Sequence, residues 1–145
     1  MIFDTKHPNI FLFVSNKQIL DYILRLCKRN NYHPSTPTDA KELIKLVRKQ
    51  RSAAVFVDIG MVNTYGPRIY SRIKVACPTS NIIFLCDQAH RDLIKEAMEL
   101  GVYACILAPY EEWEVLTMIR NILAKKQPGE RKNLARVRAL ERNVG

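Results

Sequence analysis

Asp58 is the residue of this chain best placed by type and setting to do chemistry. It closes the apolar run of "VFVDIGMVNTYG", Val55 to Gly66, where a buried strand runs into a carboxylate and a loop carrying Met61 and Gly66 follows. A carboxylate at a strand end serves as nucleophile, as metal ligand, or as the cap of the turn that follows. Few residues offer to join it. Asp87 supplies a second carboxylate if it turns inward; otherwise it faces solvent or caps the fourth helix, through "DQAHRD", which is the simpler reading. Cys86 is a redox sensor only if a cation lowers its pKa. His90 and Arg91 are its only cationic neighbours in sequence, so a buried, inert thiol is expected.

Other chemistries find no pattern. His7, His33 and His90 lack metal-ligand spacing and read as surface residues, and no metal site is expected. Cys27, Cys77, Cys86 and Cys105 form no C-x-x-C pair and each lies among apolar residues, which argues against zinc or a disulfide framework. "NTYGPRIY" is not the glycine-rich loop of a nucleotide site, and Gly66 reads as a turn residue.

The elements that must position these residues alternate two periodicities. "IFLFV" (10–14), "AAVFV" (53–57), "IIFLC" (82–86) and "ACIL" (104–107) are continuous apolar runs, the mark of strands buried on both faces. Between them Ile19, Ile23 and Leu26, then Leu43, Leu46 and Val47, then Leu93, Ala97 and Leu100 keep helical spacing, and a last helix is expected over 111–124. Thr38 is expected to cap the second helix with Asp39 in its first turn, Pro78 to end the third, and Gly101 to stop the fourth. The weakest strand is "NYHPS" (31–35), where Pro34 cannot donate to a ladder, so a short edge strand or an irregular one is expected. Five strand–helix units imply a five-stranded, doubly wound parallel α/β sheet with helices on both faces. Ligands of such sheets bind at the carboxyl ends of the strands, which here carry Ser15–Asn16, Asp58, Cys86–Asp87 and Ala108–Pro109.

Length and composition suit one globular domain. The chain has 145 residues, 48% hydrophobic and 26% charged. No apolar run approaches the roughly 20 residues of a membrane span, and "MIFDTKHPN" is not a signal peptide. A cytoplasmic location without membrane attachment is the default expectation. The net charge of +9 is uneven: residues 125–145 hold seven Lys or Arg against two Glu, a net of +5, which leaves +4 for the rest.

Over residues 8–124 the sequence resembles the receiver domain of two-component response regulators, a flavodoxin-like (βα)5 fold. "VFVDIGMVNTYG" resembles the phosphoacceptor strand and loop, with Asp58 in the acceptor position, a methionine three residues on and a glycine eight residues on. "AMELGVYACILAPY" resembles the fourth helix, its glycine stop, the fifth strand and an x-Pro-aromatic ending. The resemblance implies a Mg²⁺ held by an acidic pair after the first strand; here that pair is Ser15 and Asn16. It implies a lysine where Ala108 stands, a switch hydroxyl where Cys86 stands, a switch aromatic where Cys105 stands, and a proline where Val62 stands. Phosphoryl transfer depends on positioned charge, so a degenerate receiver is expected, with no cofactor and with Mg²⁺ bound only if the site is active after all.

Loss of chemistry leaves contact as the function, and no enzyme activity is expected. The family docks partners or itself through the fourth helix, fifth strand and fifth helix, which implies a face of Arg91, Ile94, Lys95, Cys105, Leu107, Glu114 and Met118, with ion pairs to Glu114 in a two-fold homodimer. A solvated charged face is the plainer alternative. Trp113 and Tyr110 read either as a partner anchor or as packing for the last helix. The division expected is a receiver-like domain over 1–124 and a basic helical or disordered tail over 125–145, leading to an output domain or ending as a basic arm. Nucleic acid is expected as a partner only through that tail. Two alternatives stay open: a working receiver phosphorylated on Asp58 by a histidine kinase, and a DNA-associated regulator using the tail.

Overall fold

Apolar runs too short to be helices and too continuous to have a wet face pair into one parallel sheet. The structure, a computed structural model, describes residues 9–124. Four strands, β1 (Ile10–Phe13), β2 (Ala54–Asp58), β3 (Asn81–Cys86) and β4 (Ala104–Leu107), lie in that order, each parallel to its neighbours. The expected fifth strand shrinks to one bridge. Ser35 N–H donates to Ile10 O at 2.9 Å and Leu12 N–H donates to Ser35 O at 2.8 Å, on the free edge of β1. Pro34 and Pro37 flank this bridge, and neither has an N–H to extend the ladder. With that bridge in place the chain reverses direction across the sheet between β1 and β2, where parallel α/β sheets open a crevice.

Alternate residues of each strand feed two cores. Phe11, Phe13, Val55, Val57, Ile82, Phe84 and Cys105 face the side covered by α2 (Ala40–Val47), α4 (Arg68–Ala76) and α5 (Asp92–Glu99). Ile10, Leu12, Phe56, Ile83, Leu85 and Ile106 face α1 (Lys17–Arg29) and α6 (Glu112–Ala124). Each buried Phe, Leu or Ile contributes about 1.5–3 kcal/mol of transfer free energy, so this layered packing dominates the stability. Gly101, at φ +95°, ends α5 as expected. Among the described residues no helix is long and apolar enough to cross a membrane. The basic tail over 125–145, and His7, lie outside the described residues.

Two local expectations are corrected. Asp58 is followed by a helix, α3 (Ile59–Tyr65), and the loop begins only at Gly66, whose φ of +77° suits a residue without a Cβ. Asp39, not Thr38, caps α2: its Oδ1 accepts the Glu42 N–H at 2.8 Å. Thr38 takes the other half of a capping box, its N–H donating to Glu42 Oε1 at 3.0 Å. Asp39 is the residue that reaches the free amides of the first turn. Asp39→Ala should therefore destabilise the protein by about 1 kcal/mol in urea unfolding. Thr38→Ala, which keeps the backbone bond, should cost less; the reverse order would return the cap to Thr38.

Candidate functional site

Asp58 is only 3% exposed, and its carboxylate is enclosed by donors. The turn after β1 supplies most of them. Ser15 N–H donates to Oδ1 at 3.0 Å, and Asn16 N–H donates to Oδ2 at 3.0 Å. The Ser15 hydroxyl lies 3.3 Å from Oδ1 and 3.2 Å from Oδ2. From the other side Met61 N–H donates to Oδ1 at 3.1 Å, making Asp58 the N-cap of α3. Asn16 in turn caps α1, its Oδ1 accepting from Ile19 N–H at 3.0 Å. The positive ends of two helices thus meet at one carboxylate.

Gly60 makes this closure sterically feasible. A Cβ there would stand 1.8 Å from Ser15 Oγ and 3.1 Å from Ser15 Cβ. Neither Gly60 nor the Met61 amide was singled out from the sequence. The available signal was a glycine inside a helix, which often marks a close approach of backbone, and it was hidden because the segment reads as a loop.

The remaining expected site residues lie at the same edge but do not reach the carboxylate. Ala108 N–H donates to Cys86 O at 2.9 Å and offers Asp58 no charge. Among the described residues no Lys or Arg pairs with Asp58. Cys86 is fully buried, its thiol contacting the carbonyls of His90 at 3.2 Å and Asp87 at 3.5 Å. Burial pushes this thiol up to about 11, so it is protonated and unreactive at neutral pH. Asp87 turns away to cap the short turn Gln88–His90, accepting from His90 N–H at 3.0 Å and pairing with His90 Nδ1 at 2.7 Å. The His90 imidazole therefore pairs with Asp87, and only the His90 carbonyl meets the Cys86 thiol.

Tyr110 packs rather than protrudes. Its hydroxyl donates to Cys86 O at 2.8 Å, and its carbonyl accepts from Tyr22 OH at 2.6 Å. Burial raises the pKa of both phenols. The two tyrosines line a groove of about 370 Å³ with Gln18, Ile19, Pro109 and Glu111. Trp113, by contrast, is 53% exposed.

Magnesium does not fit this arrangement. Mg²⁺ asks for oxygen ligands in a near-octahedral shell. Here the places of two acids are held by backbone N–H groups and a serine, and the single carboxylate has donors on both oxygens. Among the described residues no three His, Cys, Asp or Glu gather to hold a metal.

The expected contact face is corrected in four positions. Ile94 and Cys105 belong to the core under α5, and Met118 to the core under α6. Glu114, on the apolar stripe of α6 beside Val115, is buried as well. Helical spacing turns Ile94, Glu114 and Met118 inward, and strand alternation does the same for Cys105 on β4, which leaves Arg91 and Lys95 exposed and Leu107 half-buried at the edge.

Comparison with known proteins agrees with this fold. The family model of the response regulator receiver domain matches residues 12–120. The chain belongs to the response regulator receiver family. It is 21% identical to protein Rrf1 of Nitratidesulfovibrio vulgaris over 122 residues, 83% of this chain and 86% of that protein. The signal receiver domain of an HD domain-containing protein from Pseudomonas fluorescens superposes with a TM-score of 0.70 at 24% identity, covering 82% of this chain and 88% of that one. The beryllofluoride-activated NtrC4 receiver domain dimer gives 0.67 at 21%, covering 79% and 95%. Receivers dock signalling partners and dimerise. This chain keeps the family's fold, with Asp58 at the carboxyl end of its second strand.

Two outcomes follow from the site. Alanine normally stabilises a helix over glycine by about 1 kcal/mol; Gly60→Ala should instead destabilise by about 1–3 kcal/mol in urea, because Ser15 must leave Asp58. Pairing it with Ser15→Gly should recover part of that loss, and a stabilising Gly60→Ala would contradict the packing. At pH 8 the thiols of Cys27 and Cys86, both pushed up to about 11 by burial, should resist iodoacetamide in the native protein. Both should label fully once urea unfolds it, and rapid native labelling of Cys86 would restore a reactive role.

Proposed function

We propose that this receiver does not take phosphate on Asp58 and acts by contact, as an interaction or dimerisation module of a two-component signalling protein. One observation carries the reading. Both carboxylate oxygens of Asp58 are occupied by the donors of Ser15, Asn16 and Met61. A carboxylate has about four lone-pair positions, and four donors making five contacts leave none aimed at a metal or a phosphorus. Attack on a phosphodonor would first require two backbone bonds and a helix cap to break. The charge that accumulates in transfer would then meet Ala108 where a cation is needed.

The same residues argue against a switched output. A receiver responds to phosphate by moving a hydroxyl and an aromatic toward it. The corresponding side chains are Cys86 and Cys105, both buried, and Cys105 Sγ lies 3.8 Å from Met98 Sδ. Neither offers a hydroxyl to a phosphoryl oxygen. A surface that does not change with phosphorylation suits constitutive docking, for which Arg91, Lys95 and Leu107 remain accessible.

The test is the intact mass of the protein after incubation with Mg²⁺ and phosphoramidate, with Asp58→Asn as control. No phosphate adduct should form on either protein. An adduct on the wild type that disappears in Asp58→Asn would overturn the reading and make Asp58 a working nucleophile.

A further inference from the structure

Folding sorts the charge of this domain by face, and one face is almost purely basic. α2 and α4 pack together on one side of the sheet and bury Leu43, Val47, Ile69 and Ile73 against it. Their outward positions form two rows. Lys41, Lys45 and Arg48 follow at i, i+4 and i+7 along α2 and its last turn, and all are exposed. Arg68, Ser71, Arg72 and Val75 follow at i, i+3, i+4 and i+7 along α4, also exposed. Lys49 and Arg51 extend the first row. Between residues 39 and 80 the exposed carboxylates are Asp39 and Glu42, and both are engaged in the capping box of α2. Among the described residues none of these seven cations makes an ion pair. The acids gather elsewhere: Asp92, Glu96 and Glu99 on α5, and Glu111 and Glu112 at the start of α6.

We propose that the α2–α4 face binds nucleic acid through its phosphate backbone, without reading sequence. Cations one helical turn apart stand about 6 Å from each other along a row, and packed helices set the rows about 8–10 Å apart. A duplex presents one charge per about 1.7 Å of its axis, so a grid of this pitch meets phosphates in any register. The Ser71 hydroxyl lies within the second row as a neutral donor of the kind that also contacts phosphate. A protein partner fits less well. Protein interfaces are depleted in Lys and centre on aromatic or apolar anchors, and among the described residues the one large apolar side chain exposed on this face is Val75, at 82%. An anionic membrane fits less well for the same reason, since no Trp, Phe or Leu is presented for insertion. No exposed aromatic stands among the cations either, so single-strand base stacking is not the mode. The inference stands whether or not Asp58 is phosphorylated.

Fluorescence anisotropy of a labelled random-sequence DNA duplex, titrated with the full chain between about 50 and about 200 mM salt, tests the proposal. Arg68→Gln/Arg72→Gln and Lys41→Gln/Lys45→Gln change only exposed positions, and circular dichroism and the urea midpoint check that each still folds. Each pair should weaken binding about tenfold or more and lower the slope of log K against log salt by about 2. The comparator is Arg131→Gln/Lys132→Gln/Arg136→Gln/Arg138→Gln, which lowers the net charge of residues 125–145 from +5 to +1. Loss of binding in that variant alone would overturn the proposal in favour of the tail. Absence of duplex binding by the wild type at the lowest salt would overturn it outright. Capture of polyglutamate under conditions where the duplex does not bind would reassign the face to an acidic polypeptide.

Discussion

The carboxylate of Asp58 ties together two stretches of chain 43 residues apart, the turn that leads into α1 and the first turn of α3. Burying an ionised carboxylate costs several kcal/mol unless donors surround it. Here the donors are the backbone amides that a turn and a helix N-terminus would otherwise leave unsatisfied. Each side supplies what the other needs: the carboxylate accepts from amides that would otherwise lack a partner, and the amides offset its burial. The rest of the edge follows from this knot. Gly60 has to lack a side chain, and Ser15 has to turn its hydroxyl to the carboxylate.

A switch needs a second arrangement with which a ligand interacts differently. The groups at the edge of this sheet are engaged with their own neighbours. Cys86 donates weakly to carbonyls of its own loop, Tyr110 bonds the Cys86 carbonyl, and Cys105 is sealed beneath α5. On this account the fold of a phosphorylation switch serves as a rigid scaffold, and its variable parts are the outer faces of its helices. The separation of basic α2–α4 from acidic α5–α6 is a property of such a scaffold: like charges on one face repel, and that cost is tolerated at a surface where water and salt screen them.

Much of the fold was legible in the residues. Continuous apolar runs at Ile10, Val55, Ile82 and Ala104 marked strands buried on both faces, and Gly101 and Pro34 behaved as their backbone chemistry requires. The burial of Cys86 was legible for the same local reasons; Asp87 turns away from Asp58 as expected, but it caps the short turn Gln88–His90 and not the helix α5. What was not legible depended on contacts distant in sequence. A helix beginning at Ile59 has a glycine at its second position and little periodicity, so only the Asp58 cap reveals it. Glu114 reads as a surface acid because charge is usually exposed, yet its helical position lies on the buried stripe. Ile94 and Met118 were assigned to a docking face by resemblance, and their own spacing already pointed them at the core. Net charge taken along the chain does not reveal the basic face, because folding sorts charge by helix face.

The most direct test of the central claim is the stability of Asp58→Asn in urea at neutral pH. The substitution keeps the size of the side chain and replaces one accepting oxygen with an NH₂ group. That group would confront the N–H donors of Ser15 or Asn16. With Asp58 as the structural knot, the variant should lose about 3 kcal/mol, the combined effect of charge-assisted bonds lost and buried donors left unpaired. A variant as stable as the wild type, or more stable, would contradict the account. It would mean that the carboxylate is held at the edge against its own electrostatic cost, as a site kept for chemistry is.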